Sequence, residues 1–95
     1  MPWWVYIIDC ESDRLYTGIS TDPQRRFEQH RQGRGARFTR MYPPRQLLAA
    51  VACTTRSEAS REEFRIKALS RMHKLGWVAA HPWVESCLAP GDVEC

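Results

Sequence analysis

Tyr6 and Tyr16 sit in two short aromatic runs, and the second tyrosine opens the triplet Tyr16-Thr17-Gly18. Arg26 and His30 follow at a spacing of four, which puts them on one face of a helix. Farther along, Glu63 falls within the stripe of Ala59, Ile66 and Leu69, four residues after the first and three before the second. A carboxylate on the core side of a helix is costly unless it is paired, hydrogen-bonded or bound to a cation. Such a set could support hydrolysis of a phosphodiester, in which charge is stabilised on the attacked phosphate and a water loses its proton. Taken singly, each residue also has an ordinary structural explanation. A strand tyrosine packs in a core, a surface arginine or histidine is solvated, and Glu63 can pair with Lys67 four residues on for a few tenths of a kcal/mol.

The elements that must hold these groups can be read from local pattern. Residues 3–8, Trp-Trp-Val-Tyr-Ile-Ile, and 15–19, Leu-Tyr-Thr-Gly-Ile, are strands, joined as an antiparallel hairpin by the polar stretch from Asp9 to Asp13. The hairpin brings Tyr6 and Tyr16 close across the ladder. Whether their rings share a face depends on register, because a one-residue slip reverses every side chain. Asp22-Pro23 supplies an N-cap and a first helical residue, predicting a helix to about Gln32 that Gly33 and Gly35 end. Phe27 is the only large apolar residue of that helix, so packing gives no reason for Arg25, Arg26 or His30. Residues 33–40 read as a basic, glycine-permissive loop closed by Pro43-Pro44, and 47–54 as a buried central strand. Thr55-Arg56-Ser57-Glu58 has capping-box spacing and opens a helix over about 57–73. Beyond it Trp77, Val78, Trp83 and Val84 are placed to cover the core.

A chain of 95 residues, 43 % hydrophobic with four tryptophans, predicts one domain over 1–88 and a flexible tail over 89–95. Its apolar stretches fall far short of the roughly 20 residues of a membrane span. The N-terminus has no basic region and meets Asp9, Glu11 and Asp13 at once, which points away from a signal or transit peptide and towards the cytoplasm. Cys10, Cys53, Cys87 and Cys95 form no Cys-x-x-Cys pair and read as reduced thiols, with Cys53 buried. The net charge of +3 is unevenly spread: from Arg25 to Arg45 seven arginines face one acid, Glu28. Twelve of the fourteen basic residues are arginine, whose planar fork suits phosphate, so a phosphate-rich partner is indicated and a membrane is not.

In order and spacing, Tyr6, Tyr16-Thr17-Gly18, Arg26, His30 and Glu63 resemble the GIY-YIG nuclease superfamily. The likeness runs along nearly the whole domain. Residues 16–30, Gly35-Ala36-Arg37-Phe38-Thr39-Arg40 and Glu63-Phe64-Arg65-Ile66-Lys67 look like the small stand-alone bacterial members. Trp4 and Thr17 depart from the name motifs, and Ile19 follows Gly18 where several members place Lys.

The resemblance implies an α/β fold, a small mainly antiparallel three-stranded sheet flanked by helices. It implies a catalytic set of Tyr6, Tyr16, Arg26, His30 and Glu63. In that set Glu63 holds a divalent metal, Mg²⁺ or Mn²⁺, Arg26 clamps the scissile phosphate, and Tyr16 activates water. Tyr6 positions water or phosphate, and His30 supports proton transfer or orients phosphate. Arg25, Arg31, Arg34, Arg37, Arg40 and Lys67 are the nucleic-acid-binding candidates, giving a salt-dependent and largely sequence-blind affinity. The implied function is a metal-dependent endonuclease on DNA, with RNA left open, acting on structured or damaged DNA in repair or recombination. A protein partner would supply substrate specificity, and oligomeric state is left open. The alternative is a nucleic-acid-binding or interaction module that keeps the fold with little or no catalysis.

Overall fold

A strand whose side chains are apolar or aromatic on both sides has to be covered on both faces. Trp3–Cys10, β1, is such a strand, and it is central in an antiparallel sheet of order β2-β1-β3. The computed structural model describes residues 2–83. After β1 come a short 3-10 turn (Glu11–Asp13), β2 (Arg14–Ser20), α1 (Pro23–Arg31) and α2 (Arg37–Met41), then β3 (Pro44–Cys53), α3 (Arg56–Lys67) and α4 (Arg71–Ala80). The expected α/β architecture of three strands flanked by helices is present.

Alternation along β1 divides the interior into two clusters. Val5 and Ile7 meet Ala49 of β3 with Ala59 and Ile66 of α3 and Trp77 of α4. Tyr6, Ile8 and Cys10 point the other way, against Leu47, Phe27 of α1 and Phe38 of α2. The sheet therefore separates α3 and α4 from α1 and α2.

Four local expectations are corrected. The run 47–54 belongs to β3, which is an edge rather than the central strand. Its small residues Ala49 and Ala50 accept a further backbone along that edge: Ala50 N–H donates to the His81 carbonyl at 3.2 Å and Trp83 N–H to Leu48 at 2.9 Å, so 81–83 covers polar groups an open edge would expose. The expected loop over 33–40 contains α2. The single helix expected over 57–73 is two, because Ser70 accepts the His73 N–H at 3.2 Å and caps a new start. Cys53 is half-buried, and the buried thiol is Cys10. Val84, the Cys87 and Cys95 positions and the boundary at 88 lie outside the described residues.

The caps behave as their residues predict. Asp22 accepts from Arg25 N–H at 3.1 Å, and Thr55 from Glu58 N–H at 3.2 Å. Past α1, Gly33 takes φ 78°, with Gly33 N–H bonded to His30 O and Arg34 N–H to Gln29 O, the paired bonds of a Schellman stop. Among the described residues no helix is long and apolar enough to cross a membrane.

Because Ile7 is wholly buried in the central strand, Ile7→Ala should cost about 2–5 kcal/mol in urea unfolding. Phe64→Ala, at a position 78 % exposed, should stay within about 0.5 kcal/mol.

Candidate active site

The hairpin register settles which way the tyrosines face. Tyr6 pairs with Gly18 and Ile8 with Tyr16, so Tyr6 and Tyr16 are diagonal neighbours on one face, with ring centroids 6.4 Å apart. Gly18 is required by the Tyr6 ring lying over it. A Cβ there would stand 2.6 Å from the phenol oxygen and 2.8 Å from Cζ. Thr17 and Ile19, paired with Ile7 and Val5, belong to the opposite face, and Ile19 packs into the core there.

Tyr6 is 1 % exposed, so its hydroxyl needs a partner inside the protein. It has one in His30 Nε2 at 3.0 Å. The other ring nitrogen, Nδ1, lies 2.8 Å from Thr39 Oγ1, whose hydroxyl donates to the Ala36 carbonyl at 2.8 Å. Since the threonine proton is committed to Ala36, Thr39 Oγ1 accepts from His30 Nδ1–H, and Nε2 accepts from the Tyr6 O–H. The Ala36 N–H approaches Nδ1 at 3.4 Å, too long to decide the tautomer against these shorter bonds. Burial, with Arg26 adding to it, lowers the His30 pKa to about 4, which keeps the ring neutral and the chain intact. His30 thus has the structural reason that the composition of its helix leaves out. Gly35 has one too: instead of ending α1 it clears the imidazole, since a Cβ there would lie 1.9 Å from Nδ1.

Charged groups from two layers act on the phenols. Burial and then Tyr16 raise the Tyr6 pKa, while Arg26 opposes them. Tyr16 is also raised by burial, and Lys67 followed by Arg26 draws it back. The Glu63 carboxylate bears on both rings and pairs with Lys67 at 3.3 Å, its side chain 23 % exposed. Tyr6 on β1, Tyr16 on β2 and His30 on α1 are in ring contact, and Arg26 of α1 and Glu63 of α3 act on both phenols electrostatically. Lys67 joins them, placing a cation beside Tyr16 although Ile19 supplies none. The guanidinium of Arg26 donates to Gln29 Oε1 at 2.9 Å. A cavity of about 180 Å³ beside it is lined by Ser20, Thr21, Asp22, Arg25, Arg26 and Gln29.

The remaining basic candidates are dispersed. Arg25 reaches the cavity beside Arg26, whereas Arg31 is paired with Glu28 at 3.0 Å and lines a separate cleft with Phe27 and Trp83. Arg34 bonds Gln32, and Arg37 and Arg40 are exposed on or beside α2. Thr39 and Phe38 are participants to which sequence reasoning assigned no role, and Gly35 is one it read only as a helix stop. Their signal lay in the stretch 35–40, which carries family likeness without an evident chemical reason.

No three His, Cys, Asp or Glu side chains gather as a metal cage among the described residues. A single part-exposed carboxylate does suit a hard cation such as Mg²⁺, which keeps several waters and completes its shell with substrate phosphate.

A hairpin with both tyrosines on one face, an Arg-bearing helix against it and a carboxylate from a later helix define a GIY-YIG catalytic domain. The chain belongs to that family, whose GIY-YIG catalytic domain matches residues 2–75. Within it, the chain is 44 % identical over 91 residues to a UPF0213 protein of Xanthomonas axonopodis pv. citri, covering 96 % of this chain and 89 % of that one. It is 46 % identical over 77 residues to a UPF0213 protein of Cronobacter sakazakii, covering 81 % of each. The solution NMR structure of the UPF0213 protein BH0048 from Bacillus halodurans is similar at TM-score 0.54 and 40 % identity, over 84 % of this chain and 85 % of that one.

Two outcomes follow from this geometry. Between pH 6.5 and about 4 the unfolded His30 binds a proton that the folded one does not, so the stability it contributes is lost as pH falls through that window. Thermal melts should show wild type losing stability relative to His30→Gln over the same range. Gly18→Ala should cost about 1–3 kcal/mol in chemical unfolding, because the buried Tyr6 ring has no free space to move into.

Proposed function

We propose that the protein is a metal-dependent endonuclease that hydrolyses phosphodiester bonds of DNA, with structured or damaged DNA in repair or recombination as its substrate. The observation that carries this reading is that Arg26 from α1 and Glu63 from α3, on either side of the sheet, both act on the Tyr16 phenol of β2. Tyr6 is committed to His30, whereas no hydrogen bond holds the Tyr16 hydroxyl among the described residues. Tyr16 is thus the phenol free to meet a water.

Arg26 donates to Gln29 and also acts on the Tyr6 hydroxyl, and its planar fork would clamp the scissile phosphate. Glu63 would hold the divalent cation, which polarises a phosphate oxygen and stabilises the departing 3′ oxygen. Tyr16 takes the proton of the attacking water as the water oxygen bonds to phosphorus and the bond to the 3′ oxygen breaks. Lys67 and Arg26 favour the phenolate this requires. Tyr6, held by His30, positions the water or phosphate beside it. Family membership supports the nuclease class, and the Arg-rich surface supports a nucleic-acid substrate.

One observation favours a second reading, a module that binds nucleic acid without cutting it. The Glu63 carboxylate is already paired with Lys67.

Labelled single-stranded, duplex, flapped and four-way-branched DNA with Mg²⁺ or Mn²⁺ separates the two. Cleavage by wild type should fall about 100-fold or more in Glu63→Gln and Arg26→Ala, with circular dichroism unchanged. Binding without cleavage by wild type would leave the module. Because the Tyr16 phenol titrates above its ordinary value, the cleavage rate should rise with pH from 7 towards 10. Tyr16→Phe should remove both the activity and its pH slope.

A further inference from the structure

A further cleft is walled by Phe38, the neighbour of Thr39 in the His30 chain of hydrogen bonds. It measures about 460 Å³ and is lined by the turn residues Ser12 and Asp13, by Arg14 and Leu15 of β2, by Phe38 of α2, and by Arg71 and Lys74 of α4. Its volume is within the range of about 300–1,000 Å³ typical of sites for small ligands.

The charge of this cleft is not internally neutralised. Arg31, Arg65 and Lys67 each have a glutamate partner. By contrast Arg14 lies over the Tyr42 ring at 4.9 Å, Arg71 donates to the Asp13 carbonyl, and Lys74 has no ion pair among the described residues. The Asp13 carboxylate, 88 % exposed, is turned to Arg45 at 3.6 Å. Three cations therefore border a cleft whose one acidic side chain is engaged elsewhere.

The apolar wall connects the cleft with the candidate active site. The half-buried Phe38 ring packs 5.8 Å from Tyr16 and 5.1 Å from Tyr42, measured between centroids. Along the chain Lys67, which acts on Tyr16, is followed directly by the connection to Arg71 and Lys74. An aromatic wall beside unpaired cations is what a nucleotide offers a match for, a base to stack and phosphates to pair.

We infer that this cleft takes one unpaired nucleotide of the strand whose scissile phosphate lies at Tyr16, with its base against Phe38 and its flanking phosphates at Arg71 and Lys74. The inference rests on the reading of the site as a nuclease and narrows its substrate. A base held in the duplex stack cannot enter, so the preferred strand is unpaired next to the cut, as in a single strand, a flap or a junction.

The test is fluorescence anisotropy of a labelled 12-nucleotide single strand and a blunt 12-base-pair duplex, in EDTA over a series of salt concentrations. Arg71→Glu/Lys74→Glu should weaken single-strand binding at least about 10-fold and make its salt dependence shallower by about 1.4 in slope. Phe38→Leu, which keeps an apolar side chain against Tyr16, should weaken single-strand binding about 5-fold or more while leaving the duplex unchanged. Arg61→Glu, a charge reversal in a separate cleft with Glu58 and Glu62, should leave single-strand binding within about 2-fold of wild type. Single-strand affinity unchanged in the double variant, or reduced no more than in Arg61→Glu, overturns the inference. So does Phe38→Leu weakening strand and duplex equally. Cleft-dependent binding without cleavage in Mg²⁺ would sink the nuclease reading and keep the cleft, and no binding of either probe by wild type would sink both.

Discussion

The hydroxyl of Tyr6 is a polar atom held in the middle of the central strand, where leaving it unpaired would cost about 1–3 kcal/mol. Meeting that need organises one whole face of the sheet. His30 has to reach it from α1, and the imidazole has to stay neutral so that Nε2 can accept. Its remaining N–H then needs an acceptor, which Thr39 provides from α2, and the threonine proton ends on Ala36. One chain of hydrogen bonds thus ties β1 to both helices. Gly18 and Gly35 give the two rings the space they occupy.

Fixing His30 also fixes Arg26, one turn earlier on the same helical face. Burial alone would hold both phenols protonated, and it would keep the site inert as a base. Arg26 from one layer and Lys67 from the other oppose that effect at Tyr16, which keeps an uncommitted hydroxyl. The two tyrosines therefore differ in kind. Tyr6 is bound into the fold, and Tyr16 is left to solvent and substrate, with Phe38 joining it to the cationic cleft beyond.

Much of this arrangement was legible in local pattern. Strands over 3–8 and 15–19, the Asp22 and Thr55 caps and the first helix follow from residue types that act within a few positions of themselves. The position of 47–54 in the sheet did not, because an apolar run reads as central when what it meets is a later stretch of backbone at 81–83. The break at Ser70 was hidden by a helical period that continues across it. His30 looked unexplained in its helix because its reason is twenty-four residues away at Tyr6.

By itself the sequence determined which chemical groups the protein owns, the order in which elements carry them and the family to which that order belongs. Only the tertiary structure decided which face the tyrosines share, that Lys67 acts beside Tyr16, and that Arg31 is neutralised away from the site. Local preference is set by neighbours along the chain. Register, burial and electrostatic company are set by neighbours in space, and a one-residue slip in the hairpin would have put Tyr6 and Tyr16 on opposite faces of the sheet without changing a single strand propensity.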